Sequence, residues 1–228
     1  MRPLVLWDID GTLLKGSHGL IAFNRALREV YELQVEPKRI EYGGKTDSQI
    51  ALEVLALHDV VEAAALDRLT RFHERYVALV QDAYDELQAS VHVLPGVREV
   101  IDALAAAEAV QSVLTGNLRP TAELKLRAAG LDDQLLLSVG AFGSDHRNRD
   151  ELVPIAWAKA TTRFGALGGV VVIGDTPRDI ACGKAGGART VAVATGNWSI
   201  DELAHYAPDV TLPNLCDVEA AVSAILPR

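Results

Sequence analysis

Two acidic pairs carry the chemistry that this sequence could perform. Asp8-Ile9-Asp10-Gly11-Thr12 sets two carboxylates two residues apart, directly after the apolar run Leu4-Val5-Leu6-Trp7. Gly174-Asp175-Thr176-Pro177-Arg178-Asp179 sets a second pair four residues apart, after Val170-Val171-Val172-Ile173. In the first pair, Asp8 can act as a nucleophile, while Asp10 can protonate a leaving oxygen and then activate water. Gly11 permits the tight turn that splays them. A few carboxylates plus a phosphate oxygen suffice for Mg²⁺, which takes oxygen ligands and keeps several waters. Each pair also has a plainer reading, as acidic caps on strand-to-helix turns. Thr176 and Pro177 suit a helix start, and Asp179 suits its third position. Leu114-Thr115-Gly116-Asn117 ends a further apolar run. Its hydroxyl and backbone N–H groups could hold a phosphoryl oxygen, although by itself it reads as an ordinary turn.

Positioning these groups requires a sheet whose strands all end on one side. Apolar runs of strand length occur at residues 4–7, 110–114, 135–142, 170–173 and 190–194. None alternates with polar residues, which is the pattern of strands covered on both faces in a parallel sheet. Helical spacing occupies 97–108, through Val97, Val100, Ile101 and Leu104, and 121–129, through Leu124, Ala128 and Ala129; 152–164 and 177–186 have similar length. This alternation predicts βαβ units, whose ligands sit at the carboxyl ends of the strands. Asp8, Thr115 and Asp175 are therefore expected to converge.

Residues 16–90 interrupt the alternation. Leu20, Phe23, Leu27, Val30 and Tyr31 follow helical spacing, as do Ile50, Val54 and Leu57, and a third helix is expected over about residues 61–87. The expected division is an α/β core of residues 1–15 plus 91–228, with an all-helical insert at 16–90. Glycine and proline at its two joints suit hinges, and His18 reads as a surface histidine at the first of them.

With these residues in place, the chain resembles the haloacid dehalogenase superfamily over its whole length. Asp8-x-Asp10-Gly-Thr, Thr115, and Gly174-Asp175-x-x-x-Asp179 are similar to its first, second and fourth motifs, and the insert is similar to its helical cap. Within the superfamily the chain looks most like the phosphoglycolate phosphatase and β-phosphoglucomutase branch. The resemblance implies a Rossmann-like parallel sheet and an Mg²⁺-dependent phosphatase. Asp8 would become an aspartyl phosphate. Asp8, the Asp10 backbone carbonyl and Asp175 would hold the metal, with Asp179 steadying the site. Asp10 would be the general acid and base, its carboxyl raised above the ordinary value. The family expects a lysine before the helix that precedes the fourth motif, and the chain departs there. His146-Arg147-Asn148-Arg149-Asp150-Glu151-Leu152-Val153-Pro154 aligns Arg149 with that lysine, and Arg147, Lys159 and Lys184 are its rivals.

In the insert, Tyr42-Gly43-Gly44-Lys45-Thr46-Asp47 hints at a P-loop, but Arg39 stands where that motif needs its first glycine. The resemblance makes this a loop over the active site. Gly44 and Lys45, with Gly116 and Asn117, then become substrate-binding candidates, Lys45 for a remote anionic group; a solvated turn is the alternative. Ser199 and Glu202 form a capping-box pattern that accounts for a helix start beside Trp198.

A net charge of −9 argues against nucleic acid and anionic membrane, which require basic surfaces. With 49% hydrophobic and 23% charged residues, the chain has the composition of a packed globular protein. Cys182 and Cys216 have neither disulfide-framework nor zinc-site spacing. No apolar stretch reaches membrane-spanning length. The expectation is a cytoplasmic enzyme, monomeric or weakly dimeric, whose partner is a small phosphorylated metabolite. Three alternatives use the same residues: a phosphosugar mutase, a haloacid dehalogenase proper, and a non-catalytic phosphate-binding module. The second has no alkoxide to protonate and no need of Mg²⁺, so four aspartates argue against it. A receiver domain is about half this length and lacks a cap.

Overall fold

The computed structural model describes residues 1–16, 19–33 and 40–226; His18 lies outside them. In chain order the elements are β1 (Leu4–Trp7), β2 (Leu14–Lys15), α1 (Gly19–Tyr31), α2 (Asp47–Ala56), α3 (Glu62–Asp67), α4 (Leu69–Asp82), α5 (Tyr84–Ser90), β3 (His92–Val93), α6 (Val97–Ala106), β4 (Val110–Val113) and α7 (Arg119–Ala128). They continue with α8 (Leu152–Phe164), β5 (Val170–Gly174), α9 (Pro177–Ala185), β6 (Arg189–Val193), α10 (Ile200–Ala204), β7 (Val210–Leu212) and α11 (Val218–Ile225). No helix among the described residues is long and apolar enough to cross a membrane.

The five-stranded sheet has the order β4-β1-β5-β6-β7, and every neighbouring pair is parallel. Trp7 lies beside Val113 on one side and Ile173 on the other. The residues that follow these three strands therefore emerge together at one edge. Successive side chains of β1 pack into different layers, which explains its unbroken apolar run. Val5 and Trp7 join a cluster with Val97, Val100 and Leu104 of α6. Leu4 and Leu6 join another with Leu152, Val153 and Ala156 of α8. Trp7 is fully buried, and its indole Nε1 donates to Gln111 Oε1 at 3.2 Å, so the polar residue in β4 is satisfied rather than exposed.

Several elements differ from the sequence expectation, among them β2, β3 and α11, which it did not include. Residues 135–142 are not a strand: Leu137–Val139 forms a 3-10 turn, and only Ala141 reaches the sheet, through a single bridge to Leu114. The run is apolar because Val139 and Ala141 are buried with α8, and an apolar run signals burial before it signals pairing. The short strand β7 was not expected; its three residues are only half-buried. The expected third helix of the insert is three helices, interrupted at Arg68 (ψ 3°) and Ala83 (ψ 28°).

In residues 19–90, α1 buries Phe23, Ala26, Leu27 and Val30 and packs on α4. The Phe23 ring meets Phe72 at 5.0 Å and Tyr76 at 5.2 Å, both edge-on. This arrangement favours aromatic pairs and fixes the Tyr76 ring. The strands β2 and β3 pair antiparallel where the helical segment leaves and rejoins the core.

Candidate active site

A cavity of about 520 Å³ opens at the carboxyl edge of the sheet, between the strand-end loops and the helical segment. Asp8, Asp10, Gly44, Lys45, Thr115, Gly116, Asn117, Arg149 and Asp175 all line it. Asp179 does not; it lies behind them, 2% exposed.

Asp8, Asp175 and Asp179 are buried, and each offers a carboxylate oxygen within 4.8 Å of the others. Local structure aims each group. Gly11 adopts φ +91°, and a Cβ there would stand 2.4 Å from Asp175 Oδ2, so only glycine lets the first turn approach the second acidic pair. Thr12 Oγ1 donates to Asp175 Oδ1 at 3.0 Å. Asp179 spends its two carboxylate oxygens on different partners. It completes a capping box with Thr176 at the start of α9. Its other oxygen accepts from Arg149.

Arg149 is the cation of this cluster. Its Nη2 donates to Asp8 Oδ1 at 2.7 Å, to Asp179, and to the Leu114 carbonyl at 3.3 Å. Its Nε is buried and meets no acceptor among the described residues, a spare donor beside Asp8. The three rivals point elsewhere: Arg147 pairs with Glu62, Lys159 with Asp145, and Lys184 donates to the Tyr206 carbonyl.

Three carboxylates share one guanidinium. Burial raises Asp8 well above the usual carboxylate range, with Asp179 and Asp175 adding to the rise and Arg149 opposing it. Burial and then Asp179 push Asp175 up to about 7. Burial opposes the Arg149 charge, but Asp179 and Asp8 more than compensate and hold it protonated. An all-oxygen, buried, charge-deficient donor set of this kind suits a hard divalent cation. The Asp10 carboxylate does not belong to it.

Asp10 belongs to a second network. Lys125 Nζ donates to Asp10 Oδ1 at 2.8 Å, to Asp10 Oδ2 at 2.7 Å and to Asn117 Oδ1 at 2.8 Å. Asn117 Nδ2 donates to Asp10 Oδ2 at 2.7 Å and to Thr115 Oγ1 at 2.8 Å. Desolvation would raise the Asp10 carboxyl, but the Lys125 ammonium and the hydrogen bonds from Lys125 and Asn117 outweigh it. The carboxyl therefore sits below its ordinary value, opposite to the sequence expectation. Sequence reasoning missed Lys125 because it took Leu124, Ala128 and Ala129 as the inner face of α7. The buried residues are Thr121, Ala122, Lys125 and Leu126. A lysine one turn after a small residue on a short helix was the available signal.

The loop at residues 42–47 docks against the core. Asp47 N donates to the Gly116 carbonyl at 2.8 Å, Leu118 N donates to Asp47 Oδ2 at 2.8 Å, and Thr46 Oγ1 donates to the Arg147 carbonyl at 2.7 Å. A Cβ on Gly116 would lie 2.0 Å from the Lys45 carbonyl oxygen, so glycine is needed for this approach. The Lys45 ammonium lines the cavity but donates to Glu53. Leu20, Phe23, Ile50, Tyr76 and Trp198 complete the walls.

Residues 3–187 match the model of a family described as haloacid dehalogenase-like hydrolase. Among curated relatives, a probable phosphatase IndB of Dickeya dadantii is 28% identical over 230 residues, covering 99% of this chain and 96% of the relative. The N-acetylmuramic acid 6-phosphate phosphatase of Pseudomonas aeruginosa is 29% identical over 213 residues, covering 90% and 88%. A solved hydrolase from Pseudomonas syringae shares the fold at TM-score 0.70 and 20% identity, covering 99% of this chain and all of that one.

Proposed function

The chain belongs to the haloacid dehalogenase-like hydrolases, and on that premise we propose that it is an Mg²⁺-dependent phosphatase acting on a small phosphomonoester through an aspartyl phosphate on Asp8. One observation carries this reading: the Asp8 carboxylate stands in a buried cluster with Asp175 and Asp179, bridged by Arg149. Both curated relatives described above bear phosphatase names, which supports the same reaction class.

Asp8 and Asp175 would hold Mg²⁺, with Asp179 behind them. When bound, the ion supplies the positive charge that relieves repulsion between Asp8 and an anionic phosphoryl group. The remaining work falls to the chain. A phosphoryl group spreads its charge over equatorial oxygens, so positioned donors provide most of the catalysis. The Thr115 hydroxyl, the Arg149 guanidinium with its spare Nε, and the backbone N–H groups after β4 supply those donors. An Asp8 oxygen bonds to phosphorus as the ester P–O bond breaks, and the leaving oxygen takes a proton from Asp10. Asp10 must acquire that proton first, and the negative charge of an arriving phosphate raises its carboxyl toward protonation. In the second step the Asp10 carboxylate accepts a proton from water as the water oxygen attacks phosphorus and frees Asp8. Residues 16–90 act as the cap that shields the first step from solvent.

The test is phosphate release from a panel of small phosphomonoesters, with Mg²⁺ or with EDTA, for wild type and Asp8→Asn. Metal-dependent release that is absent from Asp8→Asn supports the reading. Release that survives Asp8→Asn removes Asp8 as nucleophile. Isomerised sugar phosphate without released phosphate assigns a mutase.

A further inference from the structure

The walls of the cavity that α1, α2 and α4 contribute have a chemistry of their own. Tyr76 is 3% exposed and lines the cavity. Its ring is held by Phe23 on one side and stacks on Phe72. Its hydroxyl makes no hydrogen bond with any described residue, although other buried hydroxyls of the site are bonded. The hydroxyl oxygen keeps contact with the cavity, where an acceptor on a ligand can take its proton. Burial, with Asp47 and Asp10 nearby, raises the phenol well above its ordinary value, so it stays a donor. Leu20, Phe23 and Ile50 line the same cavity with apolar surface.

The cations of the cavity are already committed. Lys45 donates to Glu53, Lys125 to Asp10 and Asn117, and Arg149 to Asp8 and Asp179. Lys15 also lines the cavity but is exposed to water, where an ion pair contributes little. Asp47 adds a buried carboxylate to the same walls. A second anion placed there would lose its hydration without gaining a free buried cation.

We propose that the part of the substrate remote from the phosphate is an uncharged, hydroxyl-bearing group with an apolar face, that the Tyr76 hydroxyl reads it, and that the Lys45–Glu53 pair excludes a second anion. This rests on the phosphatase reading of Asp8 and adds the substrate class to it.

Glycerol 3-phosphate and 3-phosphoglycerate test it, because they differ mainly in a hydroxymethyl against a carboxylate. Wild type is expected to favour glycerol 3-phosphate in kcat/KM by about 10-fold or more. Tyr76→Phe is expected to shrink that preference through KM, with kcat little changed. Glu53→Gln releases Lys45 and is expected to narrow the ratio from the other side, by improving use of 3-phosphoglycerate. Equal or better use of 3-phosphoglycerate by wild type overturns the proposal, as does a ratio unmoved by both variants. Calorimetric titration of Asp8→Asn protein with the same two compounds separates specificity from turnover. Tighter binding of glycerol 3-phosphate supports the assignment of the cavity walls even where no compound of the phosphomonoester panel releases phosphate, the outcome that defeats the phosphatase reading. Equal binding, or tighter binding of 3-phosphoglycerate, overturns the assignment.

Discussion

Lys125 Nζ stands 2.8 and 2.7 Å from the two carboxylate oxygens of Asp10, a residue 115 positions away in the chain. Lys125 itself is 5% exposed. It orients the proposed acid and base and favours its ionised form. Lys125→Met keeps much of the side-chain volume and removes the ammonium. We expect kcat to fall about 100-fold, within the range attributed to positioned acid–base groups, with KM changed little. Steady-state kinetics on a good substrate checks this, and an unchanged kcat would show that Asn117 alone suffices to place Asp10.

Arg149 supplies the positive charge shared by Asp8 and Asp179. Arg149→Met leaves Asp8, Asp175 and Asp179 buried together without it. Removing one partner of a buried ionic cluster typically costs about 3–5 kcal/mol. Thermal unfolding in EDTA should show a markedly lower Tm than wild type, and Arg149→Lys should recover part of it. Binding of the proposed Mg²⁺ to the folded form should raise the Tm of the Met variant by mass action. A Met variant as stable as wild type in EDTA would mean that the carboxylates are protonated and do not repel.

Asp47 links the loop at residues 42–47 to Leu118, and burial pushes its carboxyl up to about 6 from 3.8, with the Leu118 N–H bond opposing. Between those values the folded chain keeps a proton that the unfolded chain has released. Stability therefore falls as pH rises through this window, and the loss is complete above about 6. A shift of this size corresponds to roughly 2–3 kcal/mol. Asp47→Asn can keep the acceptor for Leu118 and cannot ionise. It should be the more stable protein at neutral pH, by about 2 kcal/mol, and lose that advantage near pH 4. Urea unfolding of both proteins at the two pH values measures the crossover. Parallel curves at both pH values would contradict it.

Gly116 permits a close approach between that loop and the core, since a Cβ there would meet the Lys45 carbonyl oxygen at 2.0 Å. Gly116→Ala should push the loop away from the cavity. We expect kcat/KM to fall about 10- to 100-fold, the scale of an ångström-sized displacement. The stability loss should stay near 1–3 kcal/mol, as for other overpacked sites. Kinetics combined with denaturant unfolding separates the two effects. Unaltered kcat/KM would show that closure of this loop does not limit catalysis.

The amino-acid sequence by itself determined the strands that carry Asp8, Thr115 and Asp175 and their arrival at one sheet edge. An apolar run, its length and the polar residue that ends it are local properties, and parallel pairing turns them into a common edge. The resemblance to the family also pointed to Arg149, by aligning Pro154 with the proline that opens the family's helix. Residues 135–142 failed the same reasoning, since burial against α8 imitates a strand in composition. Tertiary structure decided the electrostatics. The ionisation of Asp10 depends on Lys125, and the availability of Lys45 depends on Glu53; both act through space and leave no pattern in the neighbouring sequence. Tyr76 reaches the cavity only because α1 and α4 pack through Phe23 and Phe72. Motifs belong to consecutive residues, whereas charge state, exposure and specificity belong to whichever distant side chains the packing brings into contact.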